Sequence, residues 1–95
     1  MKLRYTLRAA EELDQILSYI DERSPQGAHH VKTRIEAIVD LIASYPHAGQ
    51  LTNTGGLRRV VAHPYPYLIF YAATEDEVVI HGVRHAARRP SSVPD

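Results

Sequence analysis

Between Leu7 and Tyr45 apolar side chains recur in steps of three and four, and one short break interrupts them. Leu7, Ala10, Leu13, Leu17 and Ile20 form a first stripe. Ala28, Val31, Ile35, Ile38, Ile42 and Tyr45 form a second. That spacing predicts two α-helices, each with one apolar face. Thr6 is the expected N-cap of the first, its hydroxyl accepting from an early backbone N–H. Glu11, Glu12 and Asp14 lie toward the start of that helix, the side that the macrodipole favours for carboxylates. In the break, "ERSPQG", Ser24 is the expected second N-cap, and Pro25 takes the first helical position, where a missing N–H costs nothing. Pro46 stops the second helix. Helices of roughly 16–20 residues joined by so short a turn run antiparallel, as a hairpin. Such a hairpin must bury its apolar stripes, so the rest of the chain has to supply a partner face.

The second half supplies it. "LRRVVA", "YLIFYAA" and "EVVIHGVRH" are rich in Val, Ile, Tyr and Phe and are predicted to be strands. "TED" is short enough to make the last two an antiparallel hairpin. "HPYP" separates the first two, its prolines keeping sheet pairing away from that corner. "KLRY" is a short strand before the first helix, and "PHAGQLTNTGG" is loop by composition. The expected order is β-α-α-β-β-β: an α+β domain with the helical hairpin on one face of an antiparallel sheet. Leu13, Leu17, Ile35, Ile38, Leu68 and Phe70 are the expected core. Tyr65, Tyr67 and Tyr71 share one strand face and can form a sticky patch. Residues 1–90 are expected to form a single domain and residues 91–95 a disordered tail.

Composition narrows the function classes. The 95 residues suffice for one small core. Eleven basic and eleven acidic side chains leave the formal charge at zero, which argues against coating nucleic acid. No cysteine is present, so disulfides and thiolate metal sites are excluded. No apolar run approaches the roughly 20 residues that span a bilayer, and the opening residues turn charged too soon for a signal peptide. A cytoplasmic protein is expected.

Charge placement is more informative than its total. Arg58 and Arg59 open the second half, and Arg84, Arg88 and Arg89 close it, the last three within "VRHAARR". A period of two puts Val78, Ile80, Gly82 and Arg84 on one face of the last strand, with Val79, His81, Val83 and His85 on the other. Arg84 and His85 then act together only where the strand ends or bulges. Phosphodiester cleavage needs a base for the 2′-hydroxyl, an acid for the leaving oxygen and cations for the phosphorane charge. Arg59 and Arg84 are the candidate cations, with His85 or His63 as proton carrier. The plainer reading has solvated arginines at strand ends and ordinary histidines. His29 and His30 are about 100° apart on a helix, His81 and His85 roughly 13 Å apart on a strand, and His47 is alone in a loop. No metal site and no cofactor are expected.

"YTLRAAEELDQILSYI", "YPHAGQ" and "LRRVVAHPYPYLIFYAATEDEVVIHGVRHAARRP" together resemble the RelE/ParE superfamily of toxins from bacterial type II toxin–antitoxin systems, over roughly residues 3–90. The resemblance implies a helical hairpin on a small curved sheet, and a cognate antitoxin whose C-terminal segment wraps the toxin. RelE-like members cut messenger RNA on the ribosome; ParE-like members are poisons of DNA gyrase and lack that catalytic set. RelE-like enzymes usually carry an arginine before the "LVY" of their third strand, and Tyr67 stands there. They tend to carry a charge in the loop entering the sheet, and "GQLTNTGG" has none. They often end in a stacking tyrosine, and no aromatic residue follows Tyr71. Arg84 followed by His85 fits ParE-like members. The resemblance therefore implies the ParE-like branch: a topoisomerase inhibitor neutralised by a ParD-like antitoxin, with no sequence-specific DNA binding of its own. The binding candidates are Arg58, Arg59, Tyr67, Arg84, His85, Arg88 and Arg89. The alternatives are a RelE-like mRNA endonuclease, using Arg59, Arg84 and His85, and a non-toxic binding module.

Overall fold

The computed structural model describes residues 1–87. Strand β1 (Lys2–Tyr5) leads into helices α1 (Leu7–Asp21) and α2 (Pro25–Ser44). Strands β2 (Gln50–Leu51), β3 (Leu57–Val61), β4 (Tyr67–Ala73) and β5 (Glu77–His85) follow. Both expected caps are in place. Thr6 Oγ1 accepts from the Ala9 N–H and Ser24 Oγ from the Gly27 N–H, each at 3.0 Å. Among the described residues no helix is long and apolar enough to cross a membrane.

The sheet runs β1-β5-β4-β3-β2, and the helical hairpin covers one of its faces. The α+β class and the order of elements are as the sequence predicts, with two differences. β1 lies parallel to β5, Lys2 opposite Glu77 through Tyr5 opposite Ile80. The chain passes through the hairpin and three further strands before returning to the side of β1, so no tight turn forces that pair to be antiparallel. Gln50–Leu51, inside the stretch read as loop, pairs with Arg59 and Arg58 as a short edge strand. Two residues carry no periodicity to read.

Ala9, Val31, Ile35, Ile38, Val39 and Ile42 from the helices meet Ala62, Ile69, Tyr71, Val78, Ile80 and Val83 from the sheet in one buried cluster. The α2 stripe holds from Ala28 to Ile42 and gains Val39. Tyr45, expected in that stripe, is 65% exposed, because as C-cap it leaves helical dihedrals (φ −132°, ψ 78°). On α1 the stripe is turned. Leu7 is 76% exposed and Ala10 also faces out, while Ala9 is buried and Leu13, Ile16, Leu17 and Ile20 pack beside it. Both sets fit the three-and-four spacing of one helix face, so spacing alone does not choose between them.

The faces of β4 are also exchanged relative to expectation. Ile69 and Tyr71 point at the helices. Phe70, 2% exposed, is buried with Leu57 and Val79 outside the main cluster. The pairing Leu57–Ala72–Val79 and Arg59–Phe70 puts these residues on the opposite face. Leu68, expected in the core, is only half-buried. Tyr71 is wholly buried and Tyr65 and Tyr67 pack against the core, so the tyrosine face is interior and not a sticky surface. "YLIFYAA" is apolar throughout, and a strand without alternation does not declare its inner face.

In β5 the register slips at a bulge: Phe70 pairs with Gly82 but Tyr71 with Ile80, leaving His81 extra. Strict alternation along this strand therefore fails. Val78 and Ile80 before the bulge and Val83 after it all reach the core, whereas Val79, Gly82 and Arg84 belong to the other face. A bulge increases twist and re-aims the side chains beyond it.

Candidate functional site

Pro46, His47, Ala48 and Gly49 join α2 to β2, and their backbone closes over a buried phenol. Tyr71 Oη donates to the Pro46 carbonyl at 2.8 Å and accepts from the Gly49 N–H at 2.7 Å. A Cβ at Gly49 would lie 2.6 Å from Tyr71 Oη and 2.9 Å from the Arg59 carbonyl, so only glycine fits. Arg58 clamps the same loop from outside. Its guanidinium donates to the Gly49 carbonyl at 2.8 Å and to His47 Nδ1 at 3.1 Å. Arg58, a binding candidate from sequence, is thus engaged in holding its own chain.

The end of the sheet carries the other candidates. The register sets Tyr67 opposite His85 and Leu68 opposite Arg84, so Tyr67 and His85 share one face of the sheet and Arg84, next in the strand, belongs to the other. The rings of Tyr67 and His85 meet edge to face with centroids 5.5 Å apart. His85 Nδ1 accepts from the Ala87 N–H at 3.1 Å. That bond occupies the Nδ1 lone pair, the one through which this nitrogen would take a proton. Arg84 Nε donates to Glu12 Oε2 of α1 at 3.2 Å, and the Val83 N–H donates to Glu12 Oε1 at 3.1 Å.

Arg59 is exposed on the helix-free face. It shares that face with Arg84 by register, but two strands and two residues separate them, roughly 12 Å between backbones from strand spacing alone. His63 is exposed in the β3–β4 turn, and its carbonyl accepts from Arg34 Nε at 2.6 Å. Arg88, Arg89 and the expected tail at 91–95 lie outside the described residues. The structure therefore pairs Tyr67 with His85, sets Arg84 against Glu12, holds Arg59 apart, and assigns Arg58 to the fold. Among the described residues no three His, Asp or Glu side chains stand close enough together to hold a metal ion.

Sequence reasoning missed Glu12 as a partner of Arg84, reading it only as a helix-start carboxylate. The signal was present: Glu12 follows Ala9 by three positions and precedes Ile16 by four, so it flanks the buried stripe. It missed the reason for Pro46-x-x-Gly49 as well, because Tyr71 is 22 residues from Gly49 in sequence.

Comparison with known proteins bears on this arrangement. A family model described as "ParE toxin of type II toxin-antitoxin system, parDE" matches residues 3–90. Putative toxin Y4kP of Sinorhizobium fredii is 39% identical over 85 residues, covering 90% of this chain and 88% of its own. Toxin RelE2 of Caulobacter vibrioides is 39% identical over 84 residues, covering 88% of this chain and 93% of its own. A chain of the chromosomal ParDE TA system from P. aeruginosa superposes with a TM-score of 0.77 at 22% identity, covering 90% of this chain and 95% of that one. At that identity the likeness is one of fold. With the family match spanning nearly the whole described chain, the protein belongs to the ParE toxin family of type II toxin–antitoxin systems.

Proposed function

We propose that this toxin acts by protein contact on DNA gyrase and is held silent by a ParD-like antitoxin. The observation that carries the reading is the state of the would-be nuclease set. Arg84 is bonded to Glu12, His85 Nδ1 is occupied by the Ala87 N–H, and Tyr67 stands where the nuclease branch has arginine. Arg59 stands apart from them on β3. An acid, a base and two cations converging on one phosphate would be needed for hydrolysis, and these side chains do not converge. The same end of the sheet suits gripping: it carries the half-buried Tyr67–His85 pair on one face and the held Arg84 on the other, and tyrosine and arginine are residue types that dominate protein contacts.

The test is induction of the toxin without its antitoxin, read with two probes. DNA breaks with an SOS response, inhibition of purified gyrase and intact translated messages are the expected result. Specific cuts in ribosome-bound messenger RNA, lost in one step on Arg84→Ala by a factor of roughly 10²–10⁴, would instead establish the endonuclease.

A further inference from the structure

β1 leaves the side of β5 at Tyr5. The Thr6 N–H makes the last bond across, to the Ile80 carbonyl at 3.0 Å, and from Leu7 the chain is helix. Past Ile80 no strand among the described residues lies on that side of β5, and its outward N–H groups need another acceptor. Helix α1 passes this edge, and the Glu12 carboxylate serves there. One oxygen takes the Val83 N–H at 3.1 Å and the other takes Arg84 Nε at 3.2 Å. The side chains of Glu12 and Arg84 are only 23% and 17% exposed, so solvent screens the pair little. Arg8, one turn before Glu12 and 57% exposed, approaches the same oxygen at 3.8 Å, a looser contact.

We infer that Glu12 is a positioning residue for the Arg84 end of this toxin. Its carboxylate replaces the missing strand and at the same time fixes the arginine, so that Glu12 and Arg84 act as one unit. The inference rests on the proposal that this end grips the target, and it adds a residue on a different element that controls the grip. Glutamine at position 12 separates the two bonds. Its carbonyl oxygen still accepts from the Val83 N–H, but its amide NH₂ faces the Arg84 N–H, donor against donor. The strand edge survives while the Arg84 Nε bond to position 12 is lost.

The experiment is a double-mutant cycle of Glu12→Gln and Arg84→Met. Two readouts are the toxin concentration that half-inhibits gyrase supercoiling and growth arrest on induction. A third is the NMR signal of the Arg84 Nε–H in the isotope-labelled toxin bound to its antitoxin. Each single variant is expected to lose about tenfold or more in potency, and the double variant no more than either alone, since one unit is broken only once. The Arg84 Nε–H is expected to be protected from exchange in the parent and unprotected in Glu12→Gln. Thermal unfolding of Glu12→Gln guards against misfolding, and Glu12→Asp, with its carboxylate shortened, should fall between. Full potency in Glu12→Gln with loss in Arg84→Met overturns the inference, as do losses that multiply, or a freely exchanging Arg84 Nε–H in the parent. Parent protein that arrests growth but leaves gyrase untouched removes the proposed target instead, and the growth and NMR arms still decide the role of Glu12.

Discussion

At the scale of single residues, Tyr71 shows how much one hydroxyl can organise. It satisfies a carbonyl and an N–H of the α2–β2 loop while its ring fills the core. Tyr71→Phe keeps the ring but leaves the Gly49 N–H buried without its acceptor. A loss of about 1–3 kcal/mol in stability is expected, read as a lowered unfolding midpoint in denaturant at unchanged slope. A second residue-scale prediction concerns pH. The guanidinium of Arg4 donates to Glu77 at 3.1 Å across the β1–β5 pair, and that bond holds the Glu77 carboxyl below its ordinary range. A depressed carboxyl favours the folded state above its unfolded pKa, about 4.3, and that contribution disappears as pH falls through the folded value. Melting temperatures of the parent and of Glu77→Gln should therefore differ near neutrality and converge toward pH 3. A constant gap down to pH 3 would mean that the bond has no titrating partner in Glu77.

Among elements, the caps and the bulge set what the stripes alone leave open. Thr6 fixes where α1 begins, and hence that Ala9 and not Leu7 turns inward. Thr6→Ala should cost about 0.5–2 kcal/mol, measurable by thermal unfolding. Ile35 of α2 and Phe70 of β4 are both buried, but beneath opposite faces of the sheet. Ile35→Ala and Phe70→Ala should each lose about 2–5 kcal/mol. Sharing no partners across the sheet, they should add within about 0.5 kcal/mol. Strong coupling between the two would show that the sheet does not separate them. The helical periods of α2 and the strand segments of β3, β4 and β5 were legible in the sequence because each local pattern matches its element. The inner face of β4 was not, since every residue from Tyr67 to Ala73 is apolar or aromatic. Nor was the bulge at His81, because one inserted residue is invisible until the partner strand counts it.

For the whole molecule, a domain of 95 residues holds a thin stability margin. A partner that binds only the folded toxin therefore has large leverage on it. On the proposed reading, a ParD-like antitoxin segment that folds as it binds should bury on the order of 2,000 Å² or more. At a thousandfold excess over its dissociation constant it should stabilise the toxin by about 4 kcal/mol, a rise in melting temperature of roughly 15 °C or more. A melting temperature indifferent to the ParD-like antitoxin would remove that partner. The proposed gripping end belongs to this scale too. Arg84 comes from β5 and Glu12 from α1, Tyr67 from β4 and His85 from β5, and only the closed sheet with its helix alongside makes the two pairs.

The amino-acid order alone determined the two helices, their caps, the three long strands and the arginine-bearing end, because each is written in neighbours a few positions apart. Tertiary structure decided everything that depends on a distant partner. It paired β1 in parallel with β5, turned Tyr71 inward under Pro46 and Gly49, and gave Arg58 to the loop. It also set Glu12 against Arg84 across 72 residues of chain. Local periodicity states which side of an element is apolar. Which polar groups must find one another is decided only when backbone edges are left open, and the structure of the sheet alone reveals where those edges are.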